Sequence, residues 1–291
     1  MPLSPEEENQ IREEMGQMHG DASQAEQGPQ LFPLNENSSV KHVIGVISGK
    51  GGVGKSLVTG ILATELSRHG ASVGILDADI TGPSIPKMFG LSDQTVTAEG
   101  NNMVPCTTTN GIKVMSTNLL LEQEDDPVLW RGPILGGALQ QFWGQTNWGN
   151  LDFMLVDMPP GTGDVALTVF QSLPIEGVII VSSPQDLVQM VVGKAVKMAG
   201  MMEVPILGLV ENMAYLTCPH CGEKIEPYGP SRARETAEHY DLDFLGQLPI
   251  DPSFATMCDA GRIEQDLPAN LIPEAIAAIL ASAAVMDALR Q

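Results

Sequence analysis

Apolar residues in this chain gather into short runs, separated by glycine-rich, polar or helix-patterned segments. The runs are Val43–Ile47, Val73–Leu76, Ile112–Met115, Phe153–Val156, Val178–Val181, Ile206–Val210 and Phe244–Leu248. They are rich in Val, Ile and Leu and lack a polar alternation, which predicts strands buried on both faces. Helical patterns follow Gly54, Gly132, Gly163, Gln185, Ser231 and Pro273. Strands alternating with helices predict an α/β fold: a doubly wound, mostly parallel sheet with helices on both faces and ligands at the C-terminal strand ends. The Ala-rich run from Ile272 to Leu289 has Arg290 as its only base. It is expected to dock on the core rather than on a membrane.

The first forty residues break this pattern. Gly, Pro, Gln, Glu, Asn and Ser dominate them, and they hold eight acidic groups against one Arg. The sequence therefore predicts an acidic, disordered tail over 1–40, whose Glu6–Met18 stretch has the composition of a short helix, and a folded α/β domain over 41–291. The whole chain of 291 residues carries a formal net charge of −21. That charge argues against nucleic acid or an anionic membrane as a partner. No apolar h-region follows a charged start, and no run of 18 apolar residues occurs, so the expected location is cytoplasmic.

Gly49-Lys50-Gly51-Gly52-Val53-Gly54-Lys55-Ser56 fits G-x-x-x-x-G-K-[S/T], the phosphate-binding P-loop. A predicted strand precedes it, a predicted helix from Leu57 to His69 follows, and Gly70 stands where a helix stop is expected. In this context the glycines, with Val53, offer backbone N–H groups to phosphate oxygens, and the helix N-terminus favours the anion. Lys55 is expected on the β- and γ-phosphates and the Ser56 hydroxyl on Mg²⁺.

Two apolar strands end in carboxylates at the edge where such a sheet binds ligands. Asp79, in Asp77-Ala78-Asp79, is placed to position the attacking water or sit by Mg²⁺. Asp157, before Met158-Pro159-Pro160-Gly161, has the form of a Walker-B acid that holds Mg²⁺ through water. Gly161 is expected to offer a backbone N–H to the γ-phosphate. Aspartates at strand ends also serve as turn formers or helix caps.

The four cysteines are Cys106, Cys218, Cys221 and Cys258. Cys218-Pro219-His220-Cys221 lies in a loop expected over 216–230. Such a pair can be half a zinc site, half an iron–sulfur site or a redox dithiol. A zinc ribbon needs a second knuckle, and Cys106 (in a polar loop) and Cys258 (on a short helix) are isolated. A cubane cluster usually takes four thiolates, which two chains related by a two-fold axis would supply.

Lys50-Gly51-Gly52-Val53-Gly54-Lys55-Ser56, D-A-D-I-T-G-P-S from Asp77 and D-M-P-P-G-T-G-D from Asp157 resemble the Mrp/ApbC-type iron–sulfur cluster carriers. These are P-loop ATPases related to the partition ATPases and the nitrogenase iron protein. The resemblance spans about residues 40–265, though the chain lacks the N-terminal ferredoxin-like cysteine cluster of the eukaryotic cytosolic branch. It implies an ATP-hydrolysing homodimer in which Lys50 reaches the partner's nucleotide. It also implies a [4Fe–4S] cluster held on paired Cys218 and Cys221, and delivery to apo iron–sulfur client proteins, with scaffold proteins as further partners. Glu211-Asn212-Met213 matches the family's adenine-recognition segment, with Asn212 on the base; spacing alone reads Asn212 equally as a turn residue. Two alternatives remain from the residues: a partition or positioning ATPase, which expects a basic or amphipathic partner surface, and a zinc-stabilised nucleotide-binding module.

Overall fold

The computed structural model describes residues 31–79, 84–120, 132–184 and 188–290. The segment expected to form the Glu6–Met18 helix and the stretch Ile80–Pro83 after Asp79 lie outside these residues.

All seven predicted strands form, as β1 (Ser38–Ile47), β2 (Val73–Asp77), β6 (Lys113–Ser116), β7 (Gly149–Asp157), β8 (Gly177–Ser182), β9 (Ile206–Thr217) and β11 (Phe244–Pro249). Their order is β9-β8-β1-β7-β2-β6, with β11 on β9, and every one of these pairings is parallel. The helices are α1 (Lys55–Arg68), α2 (Ile85–Met88), α3 (Gly132–Gly144), α4 (Asp164–Ser172), α5 (Val188–Met201), α6 (Ala233–His239), α7 (Pro252–Asp259), α8 (Ile263–Asp266) and α9 (Pro273–Leu289).

Because side chains alternate across a strand, each central strand feeds two cores. Ile44 and Val46 of β1 join α1 and α9 residues such as Ile61, Leu62, Ile276 and Ile279. Their neighbours Val43 and Ile47 join Phe142 and Trp143 of α3, Phe170 of α4 and Met198 of α5. The sheet is thus covered on both faces, and α9 docks on it as expected.

Three short antiparallel pieces were not legible in the apolar pattern: the hairpin β3 (Thr97–Glu99) with β4 (Asn102–Val104), β5 (Cys106–Thr107) on β6, and β10 (Lys224–Ile225) on β9. Cys106 is therefore buried in a two-residue edge strand, not in a polar loop. The interval 216–230 is likewise a hairpin at its base, since Leu216 and Thr217 pair with Ile225 and Lys224.

The boundary expected at residue 40 falls inside β1. Phe32, Leu34 and Val40 pack against the second core. The Trp143 indole N–H donates to the Phe32 carbonyl at 2.8 Å, and the Asn35 amide donates to the Thr146 carbonyl at 2.8 Å. Ser39 and Val40 pair with Asn150 and Leu151. A chain starting at Leu31 keeps all of these contacts. One starting at Val40 should lose about 3–5 kcal/mol, from several hydrogen bonds of about 1 kcal/mol each and two half-buried apolar side chains. Equal midpoints for the two truncations would show that 31–39 adds nothing to the fold.

Candidate functional site

β1 ends at the centre of the sheet and turns into α1 through the P-loop. Gly52 and Gly54 take positive φ, +77° and +79°, which glycine adopts without a steric penalty. Gly49 is needed for a different reason: a Cβ there would lie 2.1 Å from the Val191 carbonyl oxygen of α5. No side chain caps α1, and no acid stands in its first turn. Its leading N–H groups and dipole therefore suit an anion.

The residues predicted for phosphate and Mg²⁺ chemistry converge at the start of α1. Asp157, fully buried, accepts from the Lys55 ammonium at 2.8 Å, the Ser56 hydroxyl at 2.6 Å and the Thr59 hydroxyl at 2.9 Å. Asp79 lies 3.5 Å from the same ammonium. A buried carboxylate beside a serine hydroxyl, with an acid at the next strand end, is an all-oxygen donor set that suits Mg²⁺. Gly161 stands at φ +84°, and its N–H donates to the Ser48 carbonyl at 3.1 Å. Lys50 is half-buried at the loop's entry, where the Ser48 hydroxyl donates to its carbonyl at 2.9 Å.

Two further residues belong to this cluster. Thr59 is one helical turn beyond Lys55, a spacing that puts both on one face. Asp77 is the register partner of Asp157 across β2 and β7. Burial and then the neighbouring Asp157 charge push its carboxyl well above the usual carboxylate range, against the pull of Lys55 and the Ser116 hydroxyl. Its oxygens accept from the Asp79 N–H at 3.1 Å and from Ser116 at 3.0 Å.

Asn212 is buried against the loop itself. Its amide donates to the Val53 carbonyl at 3.0 Å, and its oxygen accepts from the Met213 N–H at 2.9 Å. β9 continues past it, with Met213 at φ +58°, to the cysteine pair.

Cys218 and Cys221 occupy the hairpin tip and are not joined in a disulfide. The Gly222 N–H closes the turn onto the Cys218 carbonyl at 2.9 Å, and Gly222 has φ +75°. Backbone N–H groups of Cys221 and His220, with the Cys221 side chain, hold the Cys218 thiol below its usual range. Such donors favour the thiolate, the form that binds metal. Burial instead raises the Cys106 and Cys258 thiols, and neither lies in this turn. Among the described residues, no three His, Cys, Asp or Glu side chains are grouped to hold a metal ion. No helix among them is long and apolar enough to cross a membrane.

Residues 39–283 match the ParA family model described as NUBPL iron-transfer P-loop NTPase. The chain is 50% identical over 239 residues to a Clostridium perfringens protein named iron-sulfur cluster carrier protein, covering 80% of this chain and 84% of that one. It is 44% identical to a nucleotide-binding protein of Archaeoglobus fulgidus, solved in complex with ADP and with cobalt. That structure has a TM-score of 0.72, over 79% of this chain and 90% of that one. The MinD cell division protein of Aquifex aeolicus is 20% identical, with a TM-score of 0.55 over 85% and 97% of the two chains. At that identity the likeness concerns the fold alone.

Proposed function

This chain belongs to the ParA family of NUBPL-type iron-transfer P-loop NTPases, and on that premise we propose that it is an ATP-hydrolysing carrier of an iron–sulfur cluster. The observation that carries the reading is a single strand. β9 holds Asn212 against the P-loop and runs directly into a hairpin that presents two cysteines in a thiolate-favouring turn. Nucleotide chemistry and metal ligation are thereby built onto one element.

In this reading Lys55 binds the β- and γ-phosphates, exchanging its contacts to Asp157 and Asp79 for phosphate oxygens. Ser56 and Asp157 would hold Mg²⁺, which neutralises charge on the transferring phosphoryl group. Asp79 orients the attacking water, and the Gly161 N–H turns from Ser48 to the γ-phosphate. Lys50 acts on the nucleotide of a second subunit, and Asn212 contributes to adenine recognition. The cargo is a [4Fe–4S] cluster bridged between two chains. The pairing of two thiolates per chain with a four-thiolate requirement supports a homodimer. Nucleotide state then sets how the two hairpins face each other, and a change in that geometry hands the cluster to an apo client protein.

Anaerobic reconstitution with iron and sulfide tests the reading. The wild-type dimer should take up about four iron atoms in one cluster. Cys218→Ala and Cys221→Ala should each abolish uptake, while Cys106→Ala and Cys258→Ala leave it intact. A cluster held by a monomer, or one surviving loss of both Cys218 and Cys221, would contradict it. Tetrahedral zinc as the sole metal taken up would favour the zinc-stabilised module instead.

A further inference from the structure

Glu211 immediately precedes Asn212 on β9 and is fully buried. One carboxylate oxygen accepts from the Ser231 hydroxyl at 2.6 Å and from the Gln247 amide of β11 at 2.8 Å. Ser231 lies just beyond the cysteine hairpin, and its oxygen also accepts from the Ala233 N–H at 3.2 Å, where α6 begins. The other Glu211 oxygen is buried without a hydrogen-bond partner among the described residues. Burying such an acceptor costs free energy, so the side chain is held here by what its bonded oxygen does.

The placement is specific. The outgoing leg of the hairpin leaves from Asn212, whose amide holds the Val53 carbonyl of the P-loop. A Cβ on Gly54 would sit 2.1 Å from that same amide nitrogen, so the glycine backbone and the Asn212 amide lie in close contact. The returning leg is fixed one residue earlier, where Ser231 bonds Glu211. Met213, between these anchors and the cysteines, already has a left-handed backbone at φ +58°. The strand entering the hairpin and the chain leaving it are therefore tied to adjacent residues of one strand, and one of those residues touches the nucleotide loop.

We infer that the Glu211–Ser231 hydrogen bond is a positioning clamp that transmits the nucleotide state of the P-loop, through Asn212, to the Cys218/Cys221 hairpin. The inference rests on the nucleotide-gated reading above, but it is testable without iron or a cluster. The full chain, free of iron, is alkylated with iodoacetamide with and without Mg²⁺ and a non-hydrolysable ATP analogue. Modification rates of Cys218 and Cys221 are followed by peptide mass spectrometry. In wild type the nucleotide should change these rates about fivefold or more, the lower end of ordinary site-to-site couplings. Ser231→Ala should bind the analogue with unchanged affinity yet alkylate at the same rate with and without it. Ser231→Thr keeps the hydroxyl and should restore the response. Glu211→Gln exchanges a carboxylate acceptor for a weaker neutral one and should give an intermediate response. A wild-type response in Ser231→Ala, or no nucleotide effect in the wild type, would overturn the clamp. Failure of iron uptake by the wild type would overturn the carrier reading and leave this result standing.

Discussion

Replacing Lys55 with alanine should lower Mg²⁺-dependent ATP turnover by about two to three orders of magnitude, the usual loss when one preorganised charge on a reacting centre is removed. Nucleotide affinity should fall as well, since the lysine contacts phosphate in the ground state. The substitution has a second consequence that follows from burial. Asp157 is fully buried and loses its 2.8 Å ammonium partner, keeping only the Ser56 and Thr59 hydroxyls. Asp77 beside it loses the charge that draws its raised carboxyl back down. A carboxyl whose pKa is raised by folding stabilises the fold while protonated. That contribution is complete below the ordinary carboxylate range and is lost as pH rises through the raised value. The stability gap between wild type and Lys55→Ala should therefore widen from acid to neutral pH. Turnover measured beside thermal unfolding at several pH values separates the effects: wild-type turnover would remove Lys55 from the phosphate site. A stability gap independent of pH would mean that Asp77 does not respond to Lys55.

The contrast between Asp157 and Asp77 shows where the sequence is readable. Asp157 ends an apolar run and is followed by Pro and Gly, so its place at the ligand edge follows from local pattern. Asp77 ends a run in the same way, but its chemistry depends on β2 lying beside β7, a pairing between segments 80 residues apart in register. No local rule supplies that neighbour. Thr59 was within reach, because a residue four beyond the P-loop lysine shares its helical face. The seven strands and the fold class were legible because buried parallel strands need continuous apolar runs.

Pieces held by main-chain pairing rather than apolar burial were not legible. β10 is two exposed residues, Lys224 and Ile225, and exists because β9 runs on past Asn212. Phe32 and Leu34 stand in the short run Leu31-Phe32-Pro33-Leu34, broken by a proline and set in a polar stretch. Both pack on the second core, and the Phe32 carbonyl takes the indole N–H of Trp143 in α3, more than a hundred residues away. The cysteine turn was evident from its spacing, whereas the backbone donors that favour the Cys218 thiolate depend on the turn's closure. Asn212 was expected at a strand end, whereas β9 continues past it to Thr217, and its amide donates to the Val53 carbonyl of the loop.

That contact constrains Gly54 by packing as well as by backbone conformation, and its replacement should separate the two. Gly52 and Gly54 have nearly the same φ, +77° and +79°, so alanine at either position incurs the left-handed penalty of about 1–2 kcal/mol. Around Gly52 no atom lies within 4 Å of an added Cβ, whereas at Gly54 that Cβ would overlap the Asn212 amide nitrogen at 2.1 Å. Overpacking of this kind costs about a further 1–3 kcal/mol. Asn212 of β9 is buried against the loop, with both ends of its amide bonded, so it cannot swing aside without losing a hydrogen bond. Gly54→Ala should thus be destabilised by about 2–5 kcal/mol in denaturant titration, against about 1–2 for Gly52→Ala. Its nucleotide affinity should also fall further, because the displaced residue opens α1 where phosphate binds. Adding Asn212→Ala to Gly54→Ala removes the clash and should recover part of the stability, a non-additivity expected only of residues in contact. If Gly54→Ala is no worse than Gly52→Ala, or if the double variant is simply the sum of the two losses, then Asn212 does not brace the loop.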